Sequence, residues 1–348
     1  MIKFGLQLPH DPIDLIFDSA LLAEKLGFNS VFTPDHLVGI GIRQWDSFEA
    51  FTLLGGIAKI TEKVTLGTCV SDILRKHPAV IAQSAMTLDY ISNGRAIVGL
   101  GAGEGMNLIP YGISAEKPVS KLKEGVEVIR KLLYEDEVSY EGRFFRLDKA
   151  FILPRPLRKI PLWIAGNSPK TMLITAQFGD GWIPTATMGE KKYRENLQII
   201  GGNARRYGRN PDDIEPALFT YTVVEEKYED ARKLIELPAK AVALLSPFRK
   251  KFLDEIGIDE KELDFPHLMK FAFNKENVKK LLQWAEKIPF EAVENRYIFG
   301  SPDEVTDRLA GFVEAGARHI VLTPLVQHKH YTRNVRMIAE RVIPYFIE

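Results

Sequence analysis

The feature that most constrains this chain is a rhythm. Short apolar, β-branched runs alternate with longer amphipathic stretches along most of its 348 residues. Arg95–Leu100, apolar almost throughout, suits a strand buried on both faces, and the stretches between such runs carry the spacing of helices packed on a sheet. Strands are expected at Ile2–Leu8, Ser30–Thr33, Lys63–Val70, Arg95–Leu100, Leu162–Ala165, Gly181–Pro184, Ala217–Val224 and His319–Thr323. Helices are expected at Ile13–Leu26, Phe48–Ile60, Ala79–Ile91, Lys121–Glu135, Lys170–Phe178, Lys191–Tyr207, Asp303–Ala315 and Arg333–Ile347. That is about eight strand–helix units, the number an α/β (β/α)8 TIM barrel needs. An open doubly wound sheet shares the alternation. However, GLGAGEGMN (99–107) has glycine at every second position from 99 to 105 and never fits G-x-G-x-x-G, and no P-loop pattern occurs.

Two segments break the rhythm. SYEGRFFRLDKAFILPRP, with alternating aromatics around Glu141-Gly142, predicts a β-hairpin insertion near 138–155. Residues near 227–295 are charged and mostly helical in pattern, and read as a second insertion. The whole of 1–348 is expected to form one barrel domain.

Composition narrows the function. Lys+Arg and Asp+Glu both number 46, so no basic excess marks a nucleic-acid partner. The single cysteine, Cys69, excludes an internal disulfide and suits a reducing cytoplasm. No apolar run reaches membrane-spanning length, and MIKFGLQLPHDP lacks the apolar core of a signal peptide. The expectation is a soluble cytoplasmic enzyme or binding protein acting on a small molecule.

Barrel enzymes place their chemistry at the carboxyl ends of the strands. After the second expected strand come Thr33-Pro34-Asp35-His36, after the third Thr68 to Asp72, after the fourth Gly101 to Glu104, after the fifth Gly166-Asn167-Ser168 and after the sixth Pro184-Thr185. His36 and Glu104 are the proton-handling candidates. Imidazole titrates near neutrality, and a carboxyl in a dry mouth is driven toward its acid form. The plainer roles are a hydrogen bond from His36 to Asp35 or to backbone, and a cap by Glu104 on the stretch that follows. Cys69 reads as an inert buried thiol. No metal site is expected, since the seven histidines lack ligand spacing, and His328 and His330 read as solvated. Arg75, Lys76 and His77 form a basic cluster that is either solvated or turned toward a cofactor's acidic tail.

These residues sit in segments that resemble the luciferase-like barrel superfamily, within it the branch using the deazaflavin coenzyme F420. The likeness runs through AEKLGFNSVFTPDHL (23–37), HPAVIAQSAMTLDYISNGRAIVGLGAGEGMN (77–107), EGRFFRLDKAF (141–151), PLWIAGNSPKTMLITAQFGDGWI (161–183) and GSPDEVTDRLAGFVEAGARHIVL (300–322). F420-dependent secondary alcohol and sugar-phosphate dehydrogenases look most similar, and KPVSKLKEGVEVIRKLL (117–133) also resembles methylene-tetrahydromethanopterin reductase.

The resemblance implies that Asp35 and His36 flank the deazaflavin ring, with His36 on the substrate oxygen. It implies a non-proline cis peptide at Cys69-Val70 behind the ring. Ala102, Gly103, Glu104 and Asn107 would contact the ring edge and ribityl chain, and Ala165, Gly166, Asn167 and Thr185 the phosphate region. The family's pocket tryptophan has only the displaced Trp45 as a counterpart here. A sugar-phosphate lysine is replaced by Met188, with Lys191 and Lys192 nearby, and Arg296 is a candidate anion holder. The implied activity is hydride transfer between a small substrate and C5 of F420, with His36 taking the hydroxyl proton and Glu104 protonating the reduced ring edge or stabilising charge there, in a homodimer. The rivals are an FMN-dependent monooxygenase and a non-catalytic flavin-binding barrel.

Overall fold

The computed structural model of the chain describes residues 1–39, 46–184, 188–246 and 249–347. Eleven strands are present among them: β1 (Lys3–Gln7), β2 (Ser30–Thr33), β3 (Thr65–Asp72), β4 (Ala96–Gly101), β5 (Val138–Glu141), β6 (Arg146–Ala150), β7 (Leu162–Ala165), β8 (Gly181–Ile183), β9 (Glu215–Val224), β10 (Ile298–Gly300) and β11 (His319–Pro324). β5 and β6 form the expected antiparallel hairpin. The other nine make one parallel sheet in the order β10-β9-β11-β1-β2-β3-β4-β7-β8, and pairing of β8 with β9 closes it into a barrel. β10 lies outside the eight-strand count expected from the sequence. It pairs with Thr222–Val224, beyond the reach of β8 on Glu215 and Pro216.

Helices follow the strands: α1 (Ile13–Lys25), α2 (Ala50–Ile60), α3 (Pro78–Ile91), α4 (Pro118–Tyr134), α5 (Pro169–Phe178), α6 (Glu190–Arg206), α7 (Tyr228–Leu244), α8 (Arg249–Glu255), α9 (Lys275–Lys287), α10 (Pro302–Glu314), α11 (His328–Met337) and α12 (Pro344–Ile347). α5 and α10 start at Ser168 and Ser301 with reciprocal capping boxes and Pro at the first position, which fixes their first turns against the strand ends. A π-helical turn, Ile338–Val342, divides the helix expected at Arg333–Ile347. Among the described residues, no helix is long and apolar enough to cross a membrane.

Strand alternation splits the core into two shells. Val31, Val98, Leu162, Ile164 and Trp182 point outward beneath the helices, while their neighbours Phe32, Ile97, Trp163 and Ile183 point inward with Ala217 and Val321. Inside the barrel, Ser30 Oγ and His319 Nε2 lie 2.7 Å apart, with the Trp163 ring 4.9 Å from His319. Burial, and secondarily Lys3, push His319 down to about 3, so it is a neutral hydrogen-bonding group in this plug. Cys69, Val70, Ala165 and Phe219 cover the plug and remain partly exposed. α7 to α9 and β10 build a separate aromatic-rich core that includes Phe252, Phe271, Phe290 and Tyr297. From this segment the 3-10 turn Leu268–Lys270 packs on the turn Gly105–Asn107, beside the barrel mouth.

Candidate active site

The floor of the mouth is set by a close approach of β3 and β4. The pairing register shifts between Thr68 and Ser71, and the Cys69–Val70 peptide is cis. This bulge presses Thr68 and Val70 onto β4. A Cβ at Gly99 would lie 2.2 Å from the Thr68 carbonyl oxygen and 2.8 Å from Val70, and one at Gly101 would lie 2.8 Å from Val70. Two of the alternating glycines therefore serve strand packing.

β2 delivers Asp35 and His36 to the rim. The buried Asp35 carboxylate accepts from Ser71 Oγ at 2.5 Å, and pairs with Lys76 Nζ at 2.9 Å and Arg75 Nη2 at 3.2 Å. Arg75 also pairs with Asp72, and Lys76 with Glu49 at 2.7 Å. Burial works to raise the pKa of Asp35, but Arg75, Lys76 and the Ser71 hydrogen bond outweigh it, and the net shift is downward. The basic cluster thus clamps the β2 and β3 loops together, and Arg75 is turned inward rather than toward an acidic tail. His77 caps α3, its Nδ1 accepting from Ala79 N–H.

His36 meets the turn after β4. The Asn107 side chain is buried, and its Oδ1 accepts from Leu37 N–H at 2.8 Å. That leaves the Asn107 amide nitrogen facing His36 Nδ1 at 3.4 Å. Glu104 Oε2 lies 3.8 Å from the same Nδ1. Glu104 precedes the Gly105–Asn107 turn but makes no side-chain cap. Its side chain is 41 % exposed, so the mouth around it is wetter than the sequence reading expects. Burial first, then the charge of Glu104, push the Tyr221 phenol up, which keeps it protonated on the same rim. Cys69 is likewise pushed up by burial, as an inert thiol should be.

The other side of the site holds Ala165, Gly166 and Asn167 at the end of β7, where Trp182 Nε1 donates to the Gly166 carbonyl at 3.0 Å. Thr185 and Trp45 lie outside the described residues. Arg296 does not join the mouth group in any described contact: it pairs with Glu255 at 3.1 Å and stacks on Phe252 at 4.8 Å. Met188 packs against the outer core.

One residue escaped the sequence reading. His10 follows β1, and its ring centroid lies 5.4 Å from that of His36 at 87°. The rule that found His36 finds His10 too when applied to the first strand. His328, expected to be solvated, pairs with the neighbouring Asp11 at 2.7 Å. No grouping of acidic, histidine and cysteine side chains fit for a metal ion occurs among the described residues.

A closed parallel barrel with its polar groups gathered at the carboxyl mouth defines an enzyme-type scaffold, and residues 3–319 match the model of the luciferase-like monooxygenase family. The chain belongs to that family. It is 31 % identical over 315 residues to the phthiodiolone/phenolphthiodiolone dimycocerosates ketoreductase of Mycobacterium bovis, covering 88 % of this chain and 80 % of that protein. It is 28 % identical to the F420-dependent glucose-6-phosphate dehydrogenase of Microbacterium testaceum, over 99 % of this chain and 97 % of the relative. In fold it is similar to an F420-dependent secondary alcohol dehydrogenase solved with an F420-acetone adduct. The TM-score is 0.83 and the identity 24 %, over 100 % of this chain and 99 % of that one.

Proposed function

We propose that this chain is an F420-dependent oxidoreductase that moves a hydride between a small alcohol or carbonyl substrate and C5 of the deazaflavin. The observation that carries the reading is the rim group His36–Asn107–Glu104 gathered at the mouth whose apolar floor is Cys69, Val70 and Ala165. The relatives named for F420 dependence or ketone reduction support it. That floor would take a planar ring with only the backbone of Ala102 and Gly103 at its edge, since the Ala102 side chain packs on the outer core, and Gly166 and Asn167 would hold the tail beyond it. Bound there, a deazaflavin supplies a carbon that accepts or gives up a hydride.

The chain's own part is proton handling and alignment. When Nδ1, 3.8 Å from the neighbouring Glu104 carboxylate, carries the proton, His36 Nε2 is the base for a substrate hydroxyl. Once it takes that proton the ring is cationic, and the Glu104 carboxylate balances the charge. The reverse step returns the Nε2 proton to a carbonyl oxygen. When the Asn107 amide donates to Nδ1 instead, the proton sits on Nε2 and the ring is only a hydrogen-bond donor. Asp35 works at one remove, its clamp holding the His36 loop. The test is reconstitution with F420 and, separately, FMN, followed by a screen of alcohols, ketones and pterin substrates for a change in deazaflavin absorbance. Tight FMN binding with no F420 binding refutes the reading.

A further inference from the structure

His10 is placed beside the proposed base but has no part in the scheme above. Its loop is fixed. Leu8 N–H donates to the Phe32 carbonyl at 2.8 Å, Tyr331 Oη donates to the Gln7 carbonyl at 2.6 Å, and Asp11 is paired with His328. The backbone on both sides of the ring is therefore pinned beside the rim. Its Nδ1 is shielded from solvent and has no hydrogen-bond partner among the described residues, while the residue as a whole keeps partial exposure.

Those facts select one form of the ring. A proton on Nδ1 would be a buried donor with nothing to accept it, which native structures avoid more strictly than an unused lone pair. The neutral ring thus carries its proton on Nε2. A second proton is also disfavoured: burial first, and the charge of His36 second, push His10 down to about 3. The result is a neutral N–H donor next to His36 throughout the working range. An oxygen accepting two hydrogen bonds of about 3 Å can join nitrogens up to about 6 Å apart, a span that suits rings centred 5.4 Å from one another.

We propose that His10 is a substrate-binding residue whose Nε2–H holds the same carbonyl or hydroxyl oxygen that His36 serves. His10 keeps its proton throughout; it steadies the oxygen as negative charge grows there, and His36 alone exchanges a proton. This rests on the oxidoreductase reading for the identity of the oxygen.

The experiment combines imidazole 15N spectra with two variants. In the wild-type protein the His10 ring should show the neutral Nε2–H tautomer from about pH 5 to 8. With F420 bound, acetone should move the Nε2 signals of both His10 and His36. His10→Phe keeps an aromatic edge against His36 but has no donor, and should raise KM for a ketone about five- to tenfold with F420 affinity unchanged. His10→Gln, with an amide N–H, should recover part of that loss, and a melting curve checks that both variants fold. A His10 ring that titrates in this range or carries its proton on Nδ1 overturns the proposal, as do a shift confined to His36, no shift at all, or a His10→Phe enzyme with unchanged KM. If the wild-type protein does not bind F420 the oxidoreductase reading falls, while the tautomer measurement still judges His10.

Discussion

Replacing Gly99 and Gly101 by alanine, each with and without Val70→Ala, tests how the floor is built. At Gly101 the new methyl would lie 2.8 Å from Val70 Cγ2 and 3.9 Å from Ala165, so the obstacle is the tip of one side chain. At Gly99 it would lie 2.2 Å from a backbone oxygen, more than 1 Å inside ordinary contact. Overpacking of this kind costs about 1–3 kcal/mol where side chains can give. Gly101→Ala should fall there, and Gly99→Ala should reach or exceed the upper limit, because two paired strands must part. Unfolding entropy for a chain of this length is about 0.7 kcal/mol per kelvin, so each kcal/mol moves Tm about 1.4 °C. Scanning calorimetry should show Gly101→Ala lower by about 1–4 °C and Gly99→Ala by more. In double-mutant cycles Val70→Ala should offset Gly101→Ala by about 1 kcal/mol and leave most of the Gly99→Ala loss in place. A Gly99→Ala protein melting with the wild type, or equal rescue of both by Val70→Ala, would refute this account of the glycines.

Other outcomes follow from the rim. His36→Ala should lower kcat about 10²–10⁴-fold in F420 assays with little change in cofactor affinity; Glu104→Gln should lower kcat more than it raises the cofactor Kd, and the opposite split would move Glu104 from charge balance to binding. Asp35→Asn should destabilise toward the lower end of about 3–5 kcal/mol, because Glu49 and Asp72 still answer Lys76 and Arg75. The pKa of Asp35 is lower in the folded protein than in the unfolded chain. Its contribution is therefore complete above about pH 4 and disappears as pH falls through the folded value, so acid melts of Asp35→Asn should lack that part of the slope. Asn107→Ala removes the acceptor for Leu37 N–H and should cost about 1–3 kcal/mol, seen in the same melts.

The barrel was legible because its strands are buried on both faces. β2 and β7 begin and end where their apolar runs do, and the hairpin announced itself by alternation around Glu141-Gly142. β10 was not legible. Three residues, Ile298–Gly300, give no period, and they pair only because β9 runs past β8. That His36 and Glu104 gather at one mouth was suggested by their positions at the strand ends, whereas Asn107 came in only through the resemblance and its place beside His36 needs the fold. The distant partners, Asp35 for Arg75 and Lys76 and Glu255 for Arg296, were not suggested, since choosing among carboxylates far apart in sequence needs the fold. Met188 shows the same limit: its apolar character was plain, but only packing shows that it faces the outer shell.

α11 does more than finish the barrel. Its His328 and Tyr331 hold Asp11 and Gln7, Arg333 pairs with Glu225 at 2.7 Å, and the Asn334 side chain bonds both the N–H and the carbonyl of Val224, at 3.2 and 2.8 Å. β1 itself waits for β11, with Lys3–Leu6 meeting His319–Leu322. During synthesis one edge of the first strand therefore stays unpaired until the chain has emerged as far as Leu322. The loop bearing His10 is then locked after the β2–β3 clamp around Asp35, whose partners Ser71, Arg75 and Lys76 emerge far earlier than α11.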